Sequence, residues 1–317
     1  MMENQNLNDI MTTNKINVPV LFLIFNRPDT TQQVFNEIRK AQPVQLYVAA
    51  DGPRRDRPAD YEQCKKAREI IRQVDWECEV FTRFREENLG CKHAVSSAID
   101  WFFSNVEEGI ILEDDCVPDQ SFFPFCQELL KKYRNDERIM MISGDNFQFG
   151  KNSTDNSYYF SRYLHIWGWA TWRRAWNHYD VEMKIWPEIY EKGYLNNIFS
   201  DKRAVKYWES IFTKVYDGLI NTWDYQWVFS CWIQGGLSIT PNKNLVSNIG
   251  FGENSTHISG DPVFSRMAVE NMKFPLVHPG YIIRDCKSDN NTEHIWFSGS
   301  GSLISSVKGK IYEWLNK

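Results

Sequence analysis

The sequence lacks the spacings that would turn its cysteines into a structural framework. It has seven cysteines, an odd number, and none of them form a C-x-x-C pair. A disulfide scaffold needs an even set, and a structural zinc site needs closely paired ligands. The cysteines are Cys64, Cys78, Cys91, Cys116, Cys126, Cys231 and Cys286. This pattern excludes both frameworks and is typical of a reducing compartment.

Long apolar runs are also missing. No stretch approaches the roughly 20 apolar residues that span a bilayer, and the polar segment Met1–Asn17 has no apolar core of the kind found in signal peptides. We expect residues 1–17 to be disordered and the protein to be cytoplasmic. The C-terminal stretch Leu303–Leu315 is weakly amphipathic, so peripheral association at the inner face of a membrane remains a second option.

An excess of positive charge is absent as well. The formal net charge is -5, whereas proteins that bind nucleic acid need a clustered positive field. We therefore expect no nucleic-acid partner. Aromatic residues are abundant instead, with 13 tryptophans, and most of them should lie in a core because aromatic side chains bury large apolar areas.

The first half of the chain alternates strands with helices. Buried strands are predicted at Val18–Phe25 and Val44–Ala50, and a third at Glu79–Phe84, with helical segments between them. This order predicts an α/β fold with a mostly parallel central sheet. We expect one large domain over residues 18–297, with a nucleotide-binding half at 18–145 and an acceptor half at 146–297. A linker and a C-terminal helix should follow at 298–317.

Three consecutive carboxylates end the next apolar run. Glu113, Asp114 and Asp115 follow Ile110–Leu112, which places them at the carboxyl end of a strand, where ligands bind in open α/β sheets. Adjacent anions repel, and a divalent metal holding a phosphate would offset their charge. Asp115 is the first candidate metal ligand, Asp114 its neighbour towards a ribose, and Glu113 an acceptor for sugar hydroxyls. The alternative is a solvated acidic turn.

Other candidate ligand contacts follow the same logic. Asp51 ends the second strand, where its carboxylate can accept a pyrimidine N–H, although an Asp before Gly is also a common turn former. Arg27 follows the first strand and can face a phosphate. His93 opens a helix, whose N-terminus favours anions. Arg27 and His93 can equally be ordinary surface or capping residues.

Asp224 is the candidate general base. It lies between Trp223 and Trp227 near a predicted helix start, and apolar rings can raise the pKa of a carboxyl group. A helix N-cap is the alternative role for this residue.

The order of these residues resembles that of the metal-dependent glycosyltransferases of the GT-A fold. The resemblance is to the Golgi N-acetylglucosaminyltransferase I group and to bacterial relatives that act on surface polysaccharides, and it extends from Val18 to about Ser259. The matching pieces are Asn26-Arg27, Asp51-Gly52, Lys92-His93-Ala94, Glu113-Asp114-Asp115, Trp167-Gly168-Trp169, Trp223-Asp224 with Trp227, Phe251-Gly252 and Thr256-His257.

The resemblance implies an inverting transferase for a hexosyl or N-acetylhexosaminyl group. Asp115 would bind Mn²⁺ or Mg²⁺, and Asp224 would deprotonate the acceptor hydroxyl. The donor would be a nucleotide sugar, which we expect to be UDP-linked, and the acceptor a glycan or glycolipid of polysaccharide biosynthesis. The segment 250–260 would order over the donor. His257 in this segment is an ordinary loop residue or, as the alternative, a further metal ligand. Tyr225 departs from the pattern, because the Golgi enzyme carries a second acid there.

Two other functions remain open. A sugar nucleotidyltransferase shares a related fold and metal chemistry, but such enzymes usually begin with a glycine-rich phosphate loop, and Phe25-Asn26-Arg27-Pro28 contains no glycine. A non-catalytic glycan-binding module would use the aromatic residues of Tyr158–Trp176 as a platform for sugar rings.

Overall fold

A computed structural model of the protein describes residues 15–151, 154–250 and 267–297. His257, nearly all of the expected loop over the donor, the C-terminal linker and helix, and most of the N-terminal segment lie outside these residues.

The first half of the chain alternates strands and helices as expected. Each strand here except β3 is a buried apolar run, which is typical of strands covered on both faces. Helix α1 begins at Pro28, because proline suits the first position of a helix, where no N–H partner is needed. The elements are β1 (Val20–Ile24), α1 (Pro28–Ala41), β2 (Gln45–Ala50), α2 (Pro58–Glu69), β3 (Glu79–Phe84), α3 (Gly90–Asn105) and β4 (Glu108–Glu113).

The rest of the described chain contains shorter elements. The aromatic segment Tyr158–Trp176 contains two short strands and a helical turn. The elements are β5 (Cys116–Pro118), α4 (Phe122–Tyr133), β6 (Ile139–Ser143), β7 (Tyr158–Ser161), β8 (Trp169–Trp172), α5 (Arg173–Trp176), α6 (Trp186–Glu191), α7 (Leu195–Ile198), α8 (Lys202–Tyr216), α9 (Asp224–Ile233), β9 (Leu237–Pro241), β10 (Val246–Asn248) and α10 (Cys286–Phe297).

One eight-stranded sheet runs through both halves, in the order β3-β2-β1-β4-β8-β6-β9-β7. Four of its seven pairings are parallel and three are antiparallel. A two-stranded ribbon of β5 and β10 lies beside it. The α/β fold with a mostly parallel central sheet is therefore confirmed.

The four strands from β3 to β4 are parallel and end in register. Ile24 of β1 pairs with Ala50, Ala50 pairs with Phe84, and Leu23 pairs with Glu113. The loops that follow these strands consequently emerge along one edge of the sheet, which places the predicted site residues in a row.

Alternating side chains divide the core between the two faces of the sheet. Leu21 and Leu23 of β1 face a cluster that includes α3 and most of the tryptophans, while Val20, Phe22 and Ile24 face α1 and α4. This alternation is the two-residue period of a strand.

Most of the tryptophans for which the structure describes the side chain are core residues, as expected. Trp169 is fully buried and stacks on Trp223 with ring centroids 5.6 Å apart, and Trp176 stacks on Tyr179 at 4.2 Å. These rings do not form an exposed platform, which removes the observation that favoured a glycan-binding module. Among the described residues, none of the helices combines the length and apolarity needed to cross a membrane.

Candidate functional site

A cleft of about 420 Å³ opens where β1, β2, β3 and β4 end. Parallel α/β sheets bind ligands at this edge. The cleft is lined by Leu23, Ile24, Phe25, Arg27, Ala49, Ala50, Asp51, Arg54, Arg83, Arg85, Asn88, Gly90, Cys91, Ala94, Val95, Ala98, Glu113, Asp114, Ile220 and Asn221.

Small side chains create this space. Helix α3 faces the cleft with Cys91, Ala94, Val95 and Ala98, which recur at the spacing of one helical face. The facing strand β2 ends in two alanines. Larger residues on these faces would fill the cavity. The cleft is open because the residues at these positions are small.

The predicted acidic triplet lies at one end of the cleft. Asp114 is buried and accepts a hydrogen bond from the Phe25 backbone N–H at 3.1 Å. The Arg27 guanidinium pairs with Asp114 and also with Asp115, where Nη1 and Oδ2 are 2.9 Å apart. Burial acts to lower the pKa of Arg27, but the two carboxylates outweigh it and raise that pKa. Arg27 therefore supplies a fixed positive charge to this end.

Glu113 is the least favourably placed of the three anions. Burial, and then the charges of Asp115 and Asp114, raise its pKa to about 8. The shift favours the protonated form of this carboxyl group, and in that form it can donate as well as accept a hydrogen bond.

Asp115 fits a particular kind of metal site. In the described residues, no group of three or more histidine, cysteine or carboxylate side chains could enclose a metal ion. Mg²⁺ and similar ions are commonly held by one or two carboxylates, with water and substrate phosphates completing the shell. Asp115 is 15% exposed in its side chain and lies on the turn between β4 and β5, so it suits this role as a single protein ligand.

Asp51 lines the cleft, but its carboxylate is occupied by the loop before α3. Its oxygens accept hydrogen bonds from the backbone N–H groups of Leu89 and Gly90 at 3.0–3.1 Å, and from the Asn88 side chain at 2.9 Å. Burial raises the pKa of Asp51, and these hydrogen bonds oppose the shift. Asp51 therefore links the start of α3 to the end of β2. Its contact with a nucleotide base stays a prediction.

Asp224 is the first residue of α9 rather than an N-cap, since Trp223 holds the cap position. Its carboxylate accepts a hydrogen bond from the Thr222 hydroxyl. Burial raises the pKa of Asp224, and its charge in turn contributes to the raised pKa of Glu113. The two carboxyl groups therefore belong to one electrostatic site, and Asn221, three residues earlier in the chain, lines the cleft.

Asp115, Asp224 and His93 do not line the cleft, and His93 is the exposed one of the three. Helix α3 turns Cys91 and Ala94 inwards and His93 outwards. The contact of His93 with a nucleotide is an untested prediction.

Three arginines that line the cleft were missed by the sequence reasoning, and one of them, Arg54, is paired with Asp60. Arg83 and Arg85 line the cleft at the end of β3, opposite the acidic triplet. Their spacing of two residues places both on one face of an extended chain, and that Arg-x-Arg pattern at a strand end was the available signal.

Comparisons with known proteins add little to this geometry. No family model and no curated protein matches the sequence. Among solved structures, HddC from Yersinia pseudotuberculosis aligns with 10% identity and a TM-score of 0.31, over 50% of this chain and 77% of its own. The apo form of mouse xyloside xylosyltransferase 1 aligns with 11% identity and a TM-score of 0.32, over 51% and 69%. Scores this low support no conclusion, and the fold rests on the sheet topology.

Proposed function

We propose that the protein is a metal-dependent, inverting glycosyltransferase. It would move a hexosyl or N-acetylhexosaminyl group from a nucleotide-diphosphate donor, most simply UDP-linked, to a glycan or glycolipid precursor of the cell surface. The observation that supports this best is the acidic end of the cleft, where Arg27 pairs with Asp114 and Asp115 and where the charge of Asp224 reaches Glu113.

The leaving diphosphate sets the first requirement. As the bond to the sugar breaks, negative charge grows on the diphosphate and must be offset. Asp115 would hold Mn²⁺ or Mg²⁺, and the ion when bound would supply that positive charge. Arg27 lies beside Asp115 and would contribute a second cation, held in place by the buried Asp114.

The acceptor hydroxyl sets the second requirement. The Asp224 carboxylate would take the hydroxyl proton as the oxygen forms its bond to the anomeric carbon and the carbon–diphosphate bond breaks on the opposite side. A carboxyl group whose pKa is raised by burial is a stronger base than an exposed one. Glu113 would hydrogen-bond to hydroxyls of the transferred sugar.

Calorimetric titration of UDP, GDP, CDP and dTDP, with Mn²⁺ and then with EDTA, tests the proposal. We expect one nucleotide to bind in the presence of the metal and to bind much more weakly in EDTA. If folded protein binds none of the four, or binds one equally well in EDTA, the proposed function is wrong.

Asp115→Ala should weaken metal-dependent nucleotide binding by roughly 100-fold, because the proposed ligand to the ion is lost. The same titration provides the measurement. Asp29→Ala is the matched control, since Asp29 is an exposed aspartate in the first turn of α1 and does not line the cleft. Unchanged affinity in Asp115→Ala would contradict the assignment of the metal.

Asp224→Asn should keep nucleotide affinity and lose turnover by roughly 100-fold or more, since general bases contribute on that scale. Release of UDP from a panel of UDP-hexoses and UDP-N-acetylhexosamines measures the loss. A variant that binds and turns over normally would show that another group accepts the proton.

Product analysis separates the nucleotidyltransferase alternative. A glycosyltransferase releases a nucleoside diphosphate from a nucleotide sugar, whereas a nucleotidyltransferase releases pyrophosphate from a nucleoside triphosphate and a sugar 1-phosphate. We expect release of a nucleoside diphosphate only. The turn after β1 contains Arg27 but no glycine, whereas a triphosphate-binding loop is usually rich in glycine.

A further inference from the structure

Arg83 and Arg85 are positioned for a ligand rather than for an ion pair. Arg83 Nη1 donates to the Ser97 carbonyl at 3.0 Å, and Arg85 Nη2 donates to the Ser97 hydroxyl at 2.8 Å. Neither guanidinium forms a salt bridge with a carboxylate of residues 15–151, 154–250 or 267–297. Each is therefore anchored to α3 by a neutral acceptor, and its charge is not offset by an ion pair.

The two side chains are also close to each other. Burial, and then the charge of Arg83, lower the pKa of Arg85, and the charge of Asp51 opposes this shift. Adjacent cations repel, and a ligand that presents hydrogen-bond acceptors would relieve that repulsion. A guanidinium offers up to five N–H donors and no acceptor, so such a pair can recognise only acceptors.

The sheet fixes how far this pair lies from the acidic end. Neighbouring strands are about 4.8 Å apart, and β3 and β4 are separated by three such spacings, or roughly 14 Å. An extended nucleoside diphosphate spans a comparable distance. With its diphosphate at Asp115 and Arg27, its base would reach the end of β3.

We propose that Arg83 and Arg85 read the base of the donor and select bases that carry an exocyclic oxygen over those that carry an amino group. This inference rests on the proposed function, because it takes the cleft to be a nucleotide site. Uracil and guanine present an oxygen where cytosine and adenine present an amino group, and an amino group would place N–H donors against N–H donors.

Titration of UDP, CDP, GDP and ADP in the presence of Mn²⁺ tests the inference. UDP and CDP differ at the exocyclic group and at the adjacent ring nitrogen, which carries a proton in uracil and none in cytosine. GDP and ADP differ in the same two ways, and guanine carries an additional amino group. We expect the oxygen-bearing member of the tighter-binding pair to be preferred by roughly tenfold or more. Preference for CDP or ADP, or no preference, would overturn the inference.

The double variant Arg83→Gln with Arg85→Gln assigns the preference to these residues. Glutamine offers an acceptor as well as donors, so the selectivity ratio should fall towards one. Arg55→Gln is the matched control, because Arg55 is 86% exposed, pairs with Glu87 and does not line the cleft. A general loss of positive charge would weaken all four nucleotides equally and leave the ratio unchanged.

The two levels of the proposal fail in different ways. Absence of binding by all four nucleotides would overturn the proposed function and this inference together. If the nucleotides bind and the selectivity ratio is unchanged in the double variant, only the role of Arg83 and Arg85 is overturned. If the double variant does not fold, the selectivity ratio is measured in Arg85→Lys instead. Lysine keeps the positive charge but lacks the planar guanidinium and its set of N–H donors. Retained selectivity in that variant would count against the role of Arg85.

Discussion

The Thr222 hydroxyl is the side-chain group that most strongly opposes the raised pKa of Asp224. Burial raises the pKa of Asp224, whereas the hydrogen bond from Thr222 favours the ionised form and opposes that shift. Thr222→Val removes the hydroxyl with little change in volume, so the pKa should rise further. The base acts when ionised, and the acid limb of the pH dependence of kcat/KM should therefore move to higher pH.

The measurement is UDP release from the best donor between pH 4 and 9, which covers the ordinary and the raised range of a carboxyl group, roughly 4 to 8. Thr213→Val on α8 provides the control, since Thr213 is half-buried and does not line the cleft. An unmoved acid limb in Thr222→Val would mean that another group governs this part of the profile.

Individual residues were predictable where a strand boundary is sharp. The position of Glu113–Asp115 at the edge of the sheet follows from a buried run that stops at three charges. The loop contacts of Asp51 were not predictable, because they come from backbone groups of Leu89 and Gly90, 38 and 39 residues later. The exposure of His93 depends on the rotation of α3, which the sequence leaves open.

Among the secondary-structure elements, helix α3 controls the width of the cleft. Ala94→Leu would extend a larger side chain into the cavity, so nucleotide affinity should fall by roughly tenfold or more. The free energy of unfolding should change by less than about 1 kcal/mol, because Ala94 is only half-buried. Calorimetry and urea unfolding measure the two effects. Ser104→Leu is the control on the exposed surface of the same helix. Unaltered affinity in Ala94→Leu would show that the nucleotide does not pass α3.

Long periodic elements were predicted well and short ones were not. Strand β3 has the predicted bounds, because its pattern is complete in the sequence. The short helices α6 and α7 were missed, since four to six residues carry too little periodicity. Helix α10 was missed as well, because its sequence is mostly polar and it is held by tertiary ion pairs rather than by an apolar stripe.

Those ion pairs matter for the stability of the whole molecule. Asp289 is fully buried, lies near Arg162 and Arg284, and accepts a hydrogen bond from the Ser161 hydroxyl at 2.6 Å. Asp289→Ala leaves buried cationic charge less well paired, so the free energy of unfolding should fall by about 3 kcal/mol. Urea unfolding followed by circular dichroism measures this.

Asp155→Ala is the control for the loss of an aspartate, because Asp155 is exposed. It should change the free energy of unfolding by less than about 0.5 kcal/mol. Equal stability of the Asp289→Ala and control variants would mean that α10 is held by packing alone.

The two halves of the chain are interleaved in one sheet. Strand β8 comes from the expected acceptor half and lies between β4 and β6, both from the expected nucleotide-binding half. The two functional halves predicted from the sequence are therefore not separate bodies at the level of the sheet. The sequence order of elements could not reveal this, because β8 is only four residues long and pairs with strands far from it in the chain.

The contact of Arg27 with both Asp114 and Asp115 has a thermodynamic consequence. A divalent ion at Asp115 would share that carboxylate with the guanidinium, so the ion alone would bind weakly. A diphosphate attracts both cations and would turn their competition into cooperation. Linkage is reciprocal, and the factor by which the nucleotide raises the affinity for the ion must equal the factor by which the ion raises the affinity for the nucleotide. Because Arg27 occupies the acidic end in this way, the fraction of protein that holds the metal ion would rise with the concentration of the nucleotide donor.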